Sequence, residues 1–156
     1  MLSTSDDGGP ENAEEARLIT DVLIAYTVFY DAGDIDQVLS LFAPDATYSS
    51  FLGTFSGTTE LRTNFAPLVA RYRRSAHLLS NVTISLRGPE AAHANSYVHA
   101  VMQPHDGPAY AFVGSYEDTL AKRDGRWRIV TRTVHDGLAY AVEPIEPAER
   151  LPDHGT

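Results

Sequence analysis

The chain has 156 residues, 43% of them hydrophobic and 21% charged, enough for one domain of ordinary size with a buried core. A net charge of −9 opposes the basic footprint that phosphate binding needs, so no nucleic-acid partner is expected. The lack of cysteine excludes disulfides and thiol catalysis, and no stretch approaches the roughly 18 apolar residues of a membrane span.

Residues 1–13 carry neither the basic nor the apolar region of a signal peptide, so they read as a flexible arm and the protein as cytoplasmic. The folded domain is expected over residues 14–142. Ile19, Val22, Leu23, Tyr26, Phe29 and Tyr30 recur at helical spacing and predict a first helix, broken at Ala32-Gly33. Asp34 can cap a second helix with Ile35, Val38, Leu39, Leu41 and Phe42 buried, ended by Pro44-Asp45. A short strand from Ala46 to Phe51, a turn from Gly53 to Gly57, and a third helix capped by Thr58 or Thr59 follow. That helix is expected to run to about Arg74, with a kink at Pro67.

Strands are predicted at His77 to Leu86, Ala91 to Gln103, Tyr110 to Lys122 and Arg126 to Asp136. The breaks hold Gly88-Pro89, Gly107-Pro108 and Asp124-Gly125, the last being the best short hairpin signal in the chain. Residues 143–156, with three prolines and four acidic side chains, read as an irregular tail whose first part could lie across a pocket mouth. Helices followed by hairpin-linked strands predict an α+β fold: three N-terminal helices packed in a curved antiparallel sheet, forming a cone. Tyr, Val and Thr on the last strands suggest a face for homodimerisation.

The chemistry rests on Tyr30-Asp31 and on His77, 46 residues after Asp31. A carboxylate that orients an imidazole makes a general base, and histidine has the pKa for proton transfer near neutrality. Asp31 falls at a helix C-terminus, where the dipole opposes its charge. It is therefore either solvated or held by a strong partner. Five further histidines weigh less or remain open. His93, His105 and His154 have polar surroundings, while His99 shares a strand face that meets either pocket or solvent. His135, beside Asp136, can line the mouth. From the residues alone, Tyr26, Tyr30 and Tyr48 read first as core fillers with wet hydroxyls, and Arg132 first as a structural ion-pair partner. No metal-ligand spacing, phosphate loop or nucleophile elbow occurs, so neither a metal nor another cofactor is expected.

The run Y-D-A-G-D-I-D-Q-V-L-S-L-F-A-P-D-A-T-Y, from Tyr30 to Tyr48, and R-D-G-R-W-R-I, from Arg123 to Ile129, resemble the SnoaL-like group of the nuclear transport factor 2-like superfamily. The resemblance spans about Glu14 to Tyr140. A narrower one is to the Asp-His dyad lyases: scytalone dehydratase, bile-acid 7α-dehydratase and the lindane dehydrochlorinase. It implies Asp31 and His77 as the dyad, Tyr30 and Tyr48 as pocket tyrosines, His99 as a second histidine and Arg132 as a pocket arginine. Tyr26 stands where the dehydrochlorinase has a lysine, which argues against dehalogenation. Gly114 and Tyr116 stand near a serine and an asparagine of scytalone dehydratase, so the substrate grip differs.

The resemblance implies a cofactor-independent lyase of dehydratase type, or a cyclase or isomerase, acting on a small apolar carbonyl compound of polyketide or terpenoid kind. Asp31, His77, Tyr30, Tyr48 and His99 would be catalytic, and Tyr26, Tyr116, Arg132 and His135 would bind substrate. The alternative is a non-catalytic binding or assembly module of the same fold. A dyad separated by packed side chains would favour that alternative.

Overall fold

Pro10 supplies the preset backbone angle of a first helical residue, and from there the apolar stripe of Ile19, Leu23 and Tyr26 drives one helix, α1 (Pro10–Ala32). The computed structural model describes residues 9–143, so the expectations for the tail beyond Glu143 lie outside the described residues. Four residues expected in the N-terminal arm, Pro10 to Ala13, thus belong to α1. The helix stops at Gly33, whose φ of 76° is the left-handed region that favours glycine. Its amide bonds to the Tyr30 carbonyl at 3.1 Å and the Asp34 amide to that of Phe29 at 3.0 Å, the paired closure that ends many helices.

Asp34 caps α2 (Ile35–Ser40), its carboxylate accepting the Gln37 amide at 3.1 Å. There follow β1 (Phe42–Ser50), β2 (Gly53–Ser56), α3 (Gly57–Ala70), β3 (Tyr72–Leu86), β4 (Ala91–Pro104), β5 (Ala109–Arg123) and β6 (Arg126–Val142). The six strands lie in the order β2-β1-β6-β5-β4-β3. They form a curved sheet that does not close, with the helices packed against it.

Several boundaries differ from the sequence reading. Phe42 opens β1 instead of closing α2, because Leu41 caps the helix and its carbonyl accepts the Ile129 amide at 2.9 Å. Pro44 is tolerated inside β1 because the pairing with β6 slips between Phe42 and Thr47. The Gly53 to Ser56 segment is a hairpin strand rather than a turn. α3 ends at Ala70 rather than near Arg74; Tyr72 already faces Pro104 across the β3–β4 pairing. β6 continues six residues past Asp136. The sheet is also not wholly antiparallel, since β1 runs parallel to β6.

Both ends of α1 are tied to the sheet. Near its start, Glu15 accepts bonds from Lys122 Nζ at 2.7 Å and from the Trp127 indole N–H. At its end, Asp31 bonds to β3. The core between helix and sheet is built from Ile19, Leu23, Tyr26, Val38, Phe42, Leu61, Phe65, Val98, Leu120 and Ile129. No helix among the described residues is long and apolar enough to cross a membrane.

Candidate active site

Strand alternation on β3 puts Ser75 and His77 on the same face, toward the end of α1. Asp31 receives three hydrogen bonds there: from the Ser75 hydroxyl at 2.7 Å, the His77 amide at 2.7 Å and the His77 ring Nδ1 at 2.6 Å. Burial raises the Asp31 carboxyl, but the bonds from the His77 ring, Ser75 and the His77 amide outweigh it and hold the pKa below the ordinary value. An ionised Asp31 fixes the ring with its proton on Nδ1. Nε2 is then the nitrogen free to take another proton. The His77 side chain is only 9% exposed and that of Asp31 22%, so the pair is largely shielded from bulk water.

His77 borders a cavity of about 410 Å³. Tyr30 shares its wall and meets the imidazole edge to face, ring centres 5.0 Å apart. Burial raises the Tyr30 phenol well above its ordinary pKa, so it is a neutral hydrogen-bond donor. The Tyr30 hydroxyl has no hydrogen-bond partner among the described residues. Leu68, Met102, Phe112, Tyr116 and Val134 make most of the remaining wall apolar, and Phe51, Leu52 and Leu138 stand exposed at the rim.

A second cluster lies behind Tyr116. Arg132 and Asp118 are fully buried and joined by two bonds, Nε to Oδ1 at 2.7 Å and Nη2 to Oδ2 at 2.8 Å. The guanidinium carbon sits 4.2 Å from the Tyr26 ring centre and 4.3 Å from that of Tyr116. Burial opposes the charge on Arg132, but Asp118 overcomes this and raises its pKa. Nη1 of Arg132 has no partner among the described residues. Tyr48 pairs across from Arg132 in the sheet and packs edge-on against Phe65 at 4.8 Å.

The expected site residues therefore divide. Asp31, His77, Tyr30 and Tyr116 come together at the cavity. Tyr26, Tyr48 and Arg132 lie outside its wall, and Arg132 is engaged by an acid. His99 is on the outer, exposed face of β4 and bonds through Nε2 to the Tyr140 hydroxyl at 3.1 Å, so it is not placed to serve the cavity. His135 is likewise exposed and bonds to Glu117 at 3.0 Å. The reason in both cases is parity. On β4 the buried positions are Ala92, Ala94, Ser96, Val98 and Ala100, which leaves His99 on the other face. On β6, Val134 takes the cavity side and His135 the outside.

Ser75, Tyr72, Tyr110 and Asp118 are absent from the sequence-level set. Ser75 was open to inference from its spacing of two residues before His77. Tyr110 shares an alternating face with Phe112, Tyr116 and Asp118. Tyr72 is masked by the basic residues around it, which read as a helix end.

Among the described residues no cluster of three or more His, Asp or Glu side chains could hold a metal ion. No protein among curated sequences matches this chain. Among solved structures, a provisionally assigned scytalone dehydratase from Novosphingobium aromaticivorans is 23% identical, with a TM-score of 0.79 over 91% of this chain and 98% of its own. A provisionally assigned aromatic ring hydroxylase from the same organism is 25% identical, with a TM-score of 0.78 over 83% of this chain and 94% of its own. A hexachlorocyclohexane dehydrochlorinase, LinA type 2, is 15% identical, with a TM-score of 0.80 over 90% and 97% of the two chains. These likenesses carry the fold. A family model for the SnoaL-like domain matches residues 11–133, and the chain belongs to that family.

Proposed function

We propose that the cavity removes a proton from carbon beside a carbonyl group, as a cofactor-independent lyase of dehydratase type or an isomerase or cyclase. The observation that carries this reading is the Asp31–His77 bond of 2.6 Å at the wall of a cavity lined mainly by apolar and aromatic side chains. Nε2 takes the proton, and the C–H electron pair moves toward the carbonyl oxygen as an enolate. The Tyr30 hydroxyl donates to that oxygen as charge develops. Asp31 stabilises the imidazolium, which then returns its proton. Returned to a departing β-hydroxyl it completes a dehydration, and returned to carbon it completes an isomerisation. His77 thus serves both steps, and no second histidine is required. The lyases among the solved structures of this fold agree with such chemistry.

The test follows α-carbon deuterium exchange by NMR for a panel of aryl-substituted cyclic ketones in D₂O, which needs no leaving group. Wild type exchanges at least one member above the buffer rate, and His77→Ala lowers that rate by about 10²–10⁴ with its circular dichroism unchanged. Equal exchange by the variant, or none by wild type across the panel, would overturn the reading in favour of a binding module.

A further inference from the structure

One polar feature of the cavity plays no part in the proton transfer. Tyr72, the first residue of β3, and Tyr110, near the start of β5, both line the wall. Their hydroxyls bond to each other at 2.6 Å, short for a bond between two oxygens. In the sheet, Tyr72 pairs with Pro104 and Tyr110 with Met102, so β4 runs between them and the two side chains meet over its end.

A pair of neutral phenols satisfies itself only in part. One hydroxyl donates to the other, and the second must direct its own hydrogen elsewhere. Neither oxygen has another hydrogen-bond partner among the described residues. Burial and the neighbouring Tyr110 hold the Tyr72 phenol at about 12, so it stays protonated at neutral pH. The surplus hydrogen is strengthened by the bond its oxygen accepts. The same cavity wall carries Leu68, Met102, Phe112 and Ala139, which offer that hydrogen no strong acceptor.

The geometry points to the Tyr72–Tyr110 pair as a second anchoring station, which receives an oxygen of the substrate remote from the carbon that His77 deprotonates. On the register, His77 pairs with Ala100 and Tyr110 with Met102, which places them two residues along and two strands apart. Their backbones are then about 12 Å apart, from strand rises of about 3.3 Å and strand spacings of about 4.8 Å. The substrate class is therefore an elongated molecule with an apolar body, a carbonyl at one end and an oxygen function at the other. This rests on the reading of the cavity given above, but it concerns binding and is separable from turnover.

Two probes differ in the distal oxygen alone: 4-(4-hydroxyphenyl)cyclohexanone and 4-phenylcyclohexanone. Titration calorimetry should show wild type binding the hydroxylated ketone about tenfold more tightly, the scale of one net hydrogen bond. The double variant Tyr72→Phe/Tyr110→Phe should bind both within twofold of each other and keep the wild-type affinity for 4-phenylcyclohexanone. His77→Ala should retain the tenfold preference even if all exchange chemistry is lost, which separates a failure of the anchor from a failure of the base. Equal binding of the two ketones by wild type, no saturable binding of the hydroxylated one, or a preference that survives in the double variant would each overturn the assignment.

Discussion

The carbonyl end of a helix opposes a negative charge, so Asp31 remains ionised through the three bonds that converge on it from Ser75 and His77. That dependence has a measurable sign. The folded pKa lies below the ordinary value, so the group adds stability that is complete above the unfolded pKa of about 3.9 and disappears as pH falls through the folded value. Asp31→Asn should lower the urea midpoint at pH 7, and the gap from wild type should narrow as acid is added below about pH 4. A gap that stays constant down to pH 3 would place the stabilisation elsewhere. In the same variant, exchange of a ketone substrate should fall by about 10²–10⁴, because the amide no longer holds the proton on Nδ1. Asp31 was legible in the sequence because a carboxylate is out of place at a helix C-terminus, and His77 chiefly because the resemblance to the Asp-His dyad lyases implies it. His99 misleads because alternation shows that a strand has two faces without saying which is inside. The small residues Ala92, Ala94, Ser96 and Ala100 carry that information, but they attract less notice than a histidine.

The elements most legible in the chain are those with long unbroken periodicity, such as α1 and the hairpin from β5 to β6. The less legible ones are short or depend on a distant partner. Phe42 fits the α2 apolar pattern, and only the β6 pairing makes it a strand residue. β2 has four residues and too many glycine and hydroxyl side chains to read as anything but a turn. The bend in β6 is a clearer case still. Val113 pairs with Leu138 and Gly114 with Asp136, so Gly137 is an extra residue bulged out of the ladder at the cavity rim. A Cβ on Gly137 would meet the Val113 carbonyl oxygen far inside any real contact, and backbone cannot yield as a side chain can. Gly137→Ala should therefore cost more than the about 1 kcal/mol of a typical point substitution, on the order of 2–4 kcal/mol in a urea titration. Ala at Gly125, where a Cβ meets nothing within 4 Å, is limited to the strain of its φ of 73° and should cost about 1 kcal/mol. If the two substitutions cost the same, the bulge is not what requires glycine.

At the scale of the whole molecule, helix layer and sheet meet on a charged pair. Asp118 of β5 and Arg132 of β6 lie beneath α1, with the Arg132 guanidinium held between Tyr26 of the helix and Tyr116 of the cavity wall. The residues alone already let Arg132 be read as half of an ion pair, but they do not name its partner; that needs the register of β5 on β6, in which Asp118 lies opposite Arg132. Removing one partner leaves the other charged and dry. Arg132→Met should therefore destabilise by about 3–5 kcal/mol, while Asp118→Leu/Arg132→Met, which removes both charges, should recover most of that loss. The cavity wall gives a second readout, because Tyr116 loses the cation beneath it in either variant. If the ion pair only supports the wall, the double variant should regain both stability and most of the affinity for 4-phenylcyclohexanone that Arg132→Met loses. If Arg132 contacts the ligand, affinity should stay low in the double variant although its urea midpoint has recovered. A double variant no more stable than Arg132→Met would instead mean that the stacking of the guanidinium between the two tyrosines, rather than its pairing with Asp118, holds the two layers together.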